Sequence, residues 1–336
     1  MNFIQFGDCR ETMRAWSLMG FPKARMCVTS PPYFCLRDYG HAGQLGLEQT
    51  PREYIAAMVD VFRAVRDCLT DDGTLWLNIG DSYVGSANNG GQASKTMRGP
   101  QAATGTSLPS KRGEGLKSKD LIGIPWMLAF ALREDGWYLR QDIIWHKPNP
   151  MPESVTDRCT KAHEYLFLLS KSPRYYFDSD AMQEPAVSTH RPGNVSTPKA
   201  VEADPEKHRT RAGLLAYAAR SRGGANAFRG QGHMRDGAGP ANPVGRDMST
   251  VGIGETRNRR SVWTVATRPY KGAHFATFPP ELITPCVLAG SEPDDIVLDP
   301  FMGSGTTAAV AVAHGRQYLG CELNPAYEPL QRERLA

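Results

Sequence analysis

The chain of 336 residues is 40% hydrophobic and 22% charged, with 33 glycines and 25 prolines. It is too apolar for a disordered polyelectrolyte, and it is long enough for one large domain or two ordinary ones with many turns. Net charge is only +4, yet Ala186 to Arg260 holds 13 Lys and Arg against 6 Asp and Glu, leaving 26 basic and 29 acidic residues elsewhere. A concentrated basic stretch suits a polyanionic partner, although a solvated insert has the same composition.

The longest charge-free apolar run, Leu121 to Leu132, falls short of the ~20 residues that span a bilayer. Met1 to Asp8 contains no basic region leading into an apolar stretch, so no secretory signal is expected. Seven cysteines form no Cys-x-x-Cys pair and the eight histidines are scattered. Reduced thiols in a cytoplasm are expected, with no metal site and no membrane association.

In chain order, Ala24 to Thr29 reads as a buried strand that Ser30-Pro31-Pro32-Tyr33 ends as a rigid loop, because the prolines stop regular structure. Thr50-Pro51-Arg52-Glu53 combines an N-cap, a first-turn proline and a capping-box glutamate. Behind it Ile55, Met58, Val59, Phe62, Val65 and Leu69 recur at helical spacing. Asp71-Asp72-Gly73 predicts a turn, and Thr74 to Ile79 a strand. Residues 84–119 predict a long flexible loop, a length that is functional or disordered and seldom a plain connector.

A buried helix is predicted at Leu121 to Glu134, then strands at Tyr138 to Trp145 and Glu164 to Leu169. The basic insert follows, and regular structure returns near Ser261-Val262-Trp263. The last block reads strand (Ile296 to Leu298), glycine loop, helix (Thr306 to His314), strand (Tyr318 to Glu322). This alternation predicts an α/β fold with a mostly parallel sheet.

Gly303-x-Gly305-x-x-Ala308 fits a nucleotide-binding fingerprint, and Glu322 lies 19 positions after Gly303, where an acid binds ribose hydroxyls. Exposed N–H groups at the helix start suit a carboxylate. Asp299-Pro300-Phe301 ahead of the first glycine disfavours a pyrophosphate, and hence a nicotinamide oxidoreductase. Only 14 residues follow Glu322, so the strands that complete the sheet are expected from the N-terminal part.

Val28-Thr29-Ser30-Pro31-Pro32-Tyr33, followed far downstream by Asp299-Pro300-Phe301-Met302-Gly303-Ser304-Gly305-Thr306, resembles the β-class DNA amino-methyltransferases. Gly7-Asp8-Cys9, Trp145-His146-Lys147-Pro148-Asn149 and His274 to Leu282 resemble further segments of that class, in its order. The resemblance implies a Rossmann-like methyltransferase sheet in circularly permuted order, with the catalytic motif first and the cofactor motif last. It divides the chain into a catalytic part (1–183), a target-recognition insert (184–260) and a cofactor part (261–336).

It further implies S-adenosyl-L-methionine as cofactor and S-adenosylhomocysteine as product. Asp299, Phe301, Gly303, Ser304, Gly305 and Thr306 would surround the methionine moiety, Glu322 the ribose and Asp8 the adenine, with Thr29, Thr277 and Phe278 beside the ligand. Double-stranded DNA would meet Trp145, Lys147, Asn149 and the insert arginines Arg209, Arg211, Arg229, Arg257 and Arg259. A homodimer and a cognate restriction endonuclease are the other partners the resemblance carries.

The residues suit that chemistry. An exocyclic amine of cytosine or adenine is a poor nucleophile because its lone pair is delocalised into the ring. Ser30 Oγ and the Pro31 carbonyl can accept its two protons in hydrogen bonds and free that lone pair, and Tyr33 offers a face for an extruded base. In the family a serine at this position accompanies cytosine N4 and an aspartate more often adenine N6; both side chains accept a hydrogen bond, so both bases stay open. Methylation at cytosine carbon 5 would need a cysteine nucleophile. Pro285-Cys286 is the one Pro-Cys pair, but its apolar helix-like setting reads as packing. A catalytically idle DNA-binding module does not account for the complete Ser-Pro-Pro-Tyr set, and no RNA-module signature is present.

Overall fold

The computed structural model describes residues 1–84, 115–186, 256–267 and 278–336. Thr277, Arg209, Arg211 and Arg229, and most of the predicted 84–119 loop and basic insert, lie outside the described residues. The chain divides into two compact units, Met1–Met182 with Arg259–Ala336, and Gln183–Asn258.

In the larger unit, β1 (Asn2–Phe6) and α1 (Cys9–Leu18) lead to β2 (Ala24–Thr29), α2 (Pro51–Cys68), β3 (Leu69–Ile79) and α3 (Ile124–Glu134). Two strands follow, β4 (Tyr138–His146) and β5 (His163–Ser170). Of the smaller unit, β6 (Gln183–Pro185) and β7 (Thr256–Asn258) are described, an antiparallel pair joined by Gln183 to Asn258 and Arg257 to Glu184 side-chain bonds of 2.8 and 2.9 Å. The larger unit resumes with β8 (Val262–Thr264), α4 (Pro280–Gly290), β9 (Ile296–Asp299), α5 (Thr306–Ala313), β10 (Gln317–Glu322) and α6 (Glu328–Leu335).

The eight-stranded sheet runs β1-β10-β9-β2-β3-β5-β4-β8. From β1 to β3 every pairing is parallel, while β5 runs antiparallel to both β3 and β4. The predicted α/β class and completion of the sheet by N-terminal strands therefore hold: β10, last in sequence, lies between the first strand and β9. Parallel strands buried on both faces need helices on both sides. Tyr54, Met58, Phe62, Leu128 and Leu132 fill one core, and Ile283, Val287, Ala308 and Ala311 the other. Strand alternation divides β3 accordingly, with Leu75, Leu77 and Ile79 facing the first core and Trp76 the second.

The predicted start of α2 holds in detail: Thr50 Oγ1 accepts the Glu53 N–H at 3.2 Å, and Glu53 Oε2 accepts the Thr50 N–H at 3.1 Å. Three local expectations are corrected. Asp71-Asp72-Gly73 is no separating turn but an irregularity inside β3, where the register against β2 shifts between Ala24 and Met26. A Cβ on Gly73 would lie 3.0 Å from Leu69 Cβ and Thr70 O, a tight contact that a side chain here could make only if its neighbours gave way slightly. Leu69, expected on the helix, is extended and opens the strand. The helix predicted from Leu121 begins instead at Ile124, because Gly123 takes a left-handed conformation (φ 84°) and Asp81 Oδ1 accepts the Gly123 and Ile124 N–H groups at 3.0 and 3.2 Å.

Candidate active site

Because β1, β10, β9 and β2 are parallel neighbours, their C-terminal ends open at one edge of the sheet, where open α/β sheets bind ligands. A cleft lies there with open space of about 1150 Å³, counting the solvent at its mouth. Asp8, Ser30, Pro31, Pro32, Tyr33, Phe278, Asp299, Phe301, Gly303, Ser304, Thr306 and Glu322 all line it. Segments from opposite ends of the sequence thus line one cavity, and Thr29 Oγ1 donates to Asp299 Oδ1 at 2.6 Å across the adjacent strands that carry them.

Asp299 organises the floor. Its Oδ1 also accepts the Phe301 N–H at 2.9 Å, and its Oδ2 the Thr307 hydroxyl at 2.6 Å. Burial pushes its carboxyl up to about 6, against the lowering effect of these donors. The folded state therefore binds more protons than the unfolded chain between about pH 4 and pH 6. Stability linked to this group is complete below the unfolded value of 3.8 and is lost as the pH rises through about 6, by about 3 kcal/mol. Asp299→Asn should flatten the urea midpoint against pH over that window; profiles parallel to wild type would rule this out.

The glycine loop is held from three sides. Glu322 Oε2 accepts the Gly303 N–H at 2.7 Å and its Oε1 the Asn324 N–H at 2.8 Å. The Met302 N–H donates to the Cys321 carbonyl at 2.9 Å. Gln331, buried on the unpredicted α6, donates to the Gly303 carbonyl at 2.7 Å, and Arg334 donates to Thr306 Oγ1. Burial raises the Glu322 carboxyl, with Asp299 adding to it. Each Glu322 oxygen keeps a further lone pair for a ligand hydroxyl. Ser304 Oγ is buried beside the cleft without a hydrogen-bond partner, a polar group for which a bound ligand would supply one.

At the other end, Asp8 caps α1, accepting the Arg10 N–H at 2.8 Å, and the Arg10 guanidinium holds its carboxyl below the usual range. The Ser30–Tyr33 loop is braced by Tyr54, whose hydroxyl donates to the Pro32 carbonyl at 2.9 Å. Tyr33 Oη donates to Glu164 Oε2 at 2.7 Å and accepts from Asn78 Nδ2 at 2.9 Å. Sequence reading missed Asn78, Glu164 and Gln331, and also Arg37, Tyr39, His41, Gln44, Asn324 and Tyr327, which line the cleft. No motif flags these: they reach the site through strand order or through loops that fold back over it.

Several expected site residues make contacts within the protein itself. Thr29 is fully buried, does not line the cleft and spends its hydroxyl on Asp299. Gly305, also off the cleft, caps α5 at φ 84°, a conformation side chains resist. Trp145 is corrected from a DNA contact to a core residue, because it is 4% exposed and its indole N–H donates to the Val265 carbonyl at 2.8 Å. Lys147 packs over its ring at 4.2 Å and pairs with Glu164. Asn149 is exposed, but its amide exchanges bonds of 3.1 and 3.0 Å with the Thr267 backbone. Arg259 lies over the Trp263 ring at 4.6 Å.

Cys286 is fully buried in α4, its thiol donating to the Leu282 carbonyl at 3.6 Å and pushed up by burial. A thiol so held is no nucleophile. Cys286→Ala should keep methyl transfer within twofold of wild type in a single-turnover assay; abolished transfer would restore the covalent alternative. Among the described residues there is no cluster of three or more metal-ligating side chains and no helix long and apolar enough to cross a membrane.

A parallel sheet with a proline-fixed loop and a glycine loop opening on one cleft defines a methyltransferase-type site. Comparison with known proteins agrees: residues 24–333 match the family model described as DNA methylase, for N6 and N4 methyltransferases, and the chain belongs to that family. It is 43% identical over 311 residues to the type II methyltransferase M.Cfr9I of Citrobacter freundii, covering 93% of this chain and 81% of the relative. Against the type II methyltransferase M.SmaI of Serratia marcescens it is 42% identical over 332 residues, covering 99% and 90%. In fold it is similar to the cytosine-N4-specific PvuII DNA methyltransferase, with a TM-score of 0.57 and 16% identity over 100% of this chain and 86% of that one. A putative DNA modification methylase of Thermus thermophilus, solved with S-adenosyl-L-methionine, gives 0.53 and 21% over 100% and 93%.

Proposed function

We propose that this type II DNA amino-methyltransferase moves a methyl group from S-adenosylmethionine to the exocyclic amine of a flipped base at a specific site in double-stranded DNA. The observation that carries the reading is that Ser30–Tyr33 and the Asp299–Thr306 loop face one cleft. The orphaned Ser304 hydroxyl, the spare Glu322 lone pairs and the Phe278 and Phe301 rings fit an amino-acid–nucleoside cofactor. When bound, that cofactor supplies an activated methyl group on a sulfonium.

The protein's own contribution is then positioning. Ser30 Oγ and the Pro31 carbonyl accept hydrogen bonds from the two amine N–H groups, the Tyr33 ring supports the base, and transfer is in line with no covalent intermediate, the methylated nitrogen then losing one proton to solvent. The Ser30 spelling favours cytosine N4 over adenine N6. Residues 184–260 form the target-recognition insert, on the strength of their basic surplus and of Gln183–Asn258 being a separate unit. Type II relatives support a cognate restriction endonuclease and a cytoplasmic setting.

The test is incubation with labelled S-adenosylmethionine and mixed genomic DNA, digestion to nucleosides and identification of the product by mass. N4-methylcytosine is expected. N6-methyladenine would reassign the base and keep the mechanism, whereas 5-methylcytosine or no transfer would refute it.

A further inference from the structure

Tyr33 is the only member of the Ser30–Tyr33 loop whose far end is tied to a carboxylate on another strand among the described residues. Its hydroxyl meets Glu164 Oε2 at 2.7 Å, Asn78 Nδ2 at 2.9 Å and Ser30 Oγ at 3.5 Å. Asn78 Nδ2 donates to the same Glu164 oxygen at 3.0 Å, and Lys147 pairs with the other. Three neighbouring strands supply these groups: Asn78 is near the end of β3, Glu164 near the start of β5, and Lys147 just after β4. The ring lies against Gly80, where a Cβ would come within 2.6 Å of Tyr33 Cε2. Tyr33 is therefore fitted to a slot at its edge and bonded at its tip.

Packing alone does not call for this carboxylate. A phenylalanine would fill the same slot, and a half-buried glutamate is costly unless its oxygens are satisfied. Glu164 and Asn78 do not line the cleft, so neither is placed to touch the cofactor or the reacting amine there. We propose that Glu164 is a positioning residue for methyl transfer: by accepting the Tyr33 hydroxyl it fixes the ring that supports the target base. Burial and the Glu164 charge keep that hydroxyl protonated, as a donor must be. The inference rests on the reading above that Tyr33 faces the base.

The test compares wild type with Tyr33→Phe, Glu164→Gln and the double variant, by single-turnover methyl transfer and by binding of S-adenosylmethionine. Glu164→Gln should lower the transfer rate about tenfold and leave the cofactor Kd within twofold, because it acts on the base side alone. In the Tyr33→Phe background the same change should cost less than twofold, since the hydroxyl it acts through is gone. Equal losses in both backgrounds, an unchanged rate, or lost cofactor binding would each overturn the proposal and leave Glu164 as a structural ion-pair partner. Should Glu164→Gln not fold, Glu164→Asp keeps the charge and withdraws the acceptor, and the same non-additivity is required of it. Wild type that methylates nothing defeats the parent reading; wild type that methylates, with additive variants, defeats this one alone.

Discussion

Ser30→Ala should slow single-turnover methyl transfer by about a hundredfold, the scale of removing one preorganised hydrogen-bonding group from a reacting centre. On the proposed mechanism the amine has two N–H groups to bond, and the variant leaves only the Pro31 carbonyl to accept one. Ser30 follows directly on β2 and is fixed by the prolines after it, so its Oγ presents the lone pair without reorganisation. Cofactor affinity should not change, because the glycine loop is braced independently by Glu322 and Gln331. A rate within threefold of wild type would remove Ser30 from the mechanism; a parallel fall in cofactor binding would make it a structural residue.

The second large effect is on binding. Glu322→Ala should weaken S-adenosylmethionine binding about a hundredfold, near 3 kcal/mol, from two lost bonds to a charged acceptor at roughly 1.5 kcal/mol each. The variant also strips the Gly303 N–H of its acceptor, so the loop loses a tether from the strand beside it. Glu322→Gln keeps one acceptor oxygen and should lose only about tenfold in Kd by titration calorimetry. Binding equal to wild type in both would show that Glu322 only ties the loop. A loss in Glu322→Ala alone would mean that its charge does not matter.

Elements whose signals are local are legible in the sequence. Thr50 to Glu53 announce the start of α2 because a capping box is a four-residue device, and β2 and β9 show as short apolar runs ending in loops. By contrast, β1, α1 and α6 carry weak local signals and emerge only in the structure, although α6 supplies Gln331 and Arg334 to the glycine loop. Thr29, which the resemblance sets beside the ligand, is turned by strand alternation onto Asp299. Trp145 likewise belongs to a segment resembling one beside the flipped base, but its register on β4 sends the ring into the core.

By itself the sequence determined the class of chemistry, because a proline-fixed acceptor loop and a glycine loop with its downstream acid are short, contiguous motifs. The expectation that N-terminal strands complete the sheet is met by the order β1-β10-β9-β2-β3. Only the tertiary structure decided which side chains act together. Asn78, Glu164 and Lys147 converge on Tyr33 from three strands, and Glu322 meets Gly303 across a strand boundary. Such contacts are set by strand order and register, which depend on how two hydrophobic cores close on either face of the sheet and leave no mark in local spacing.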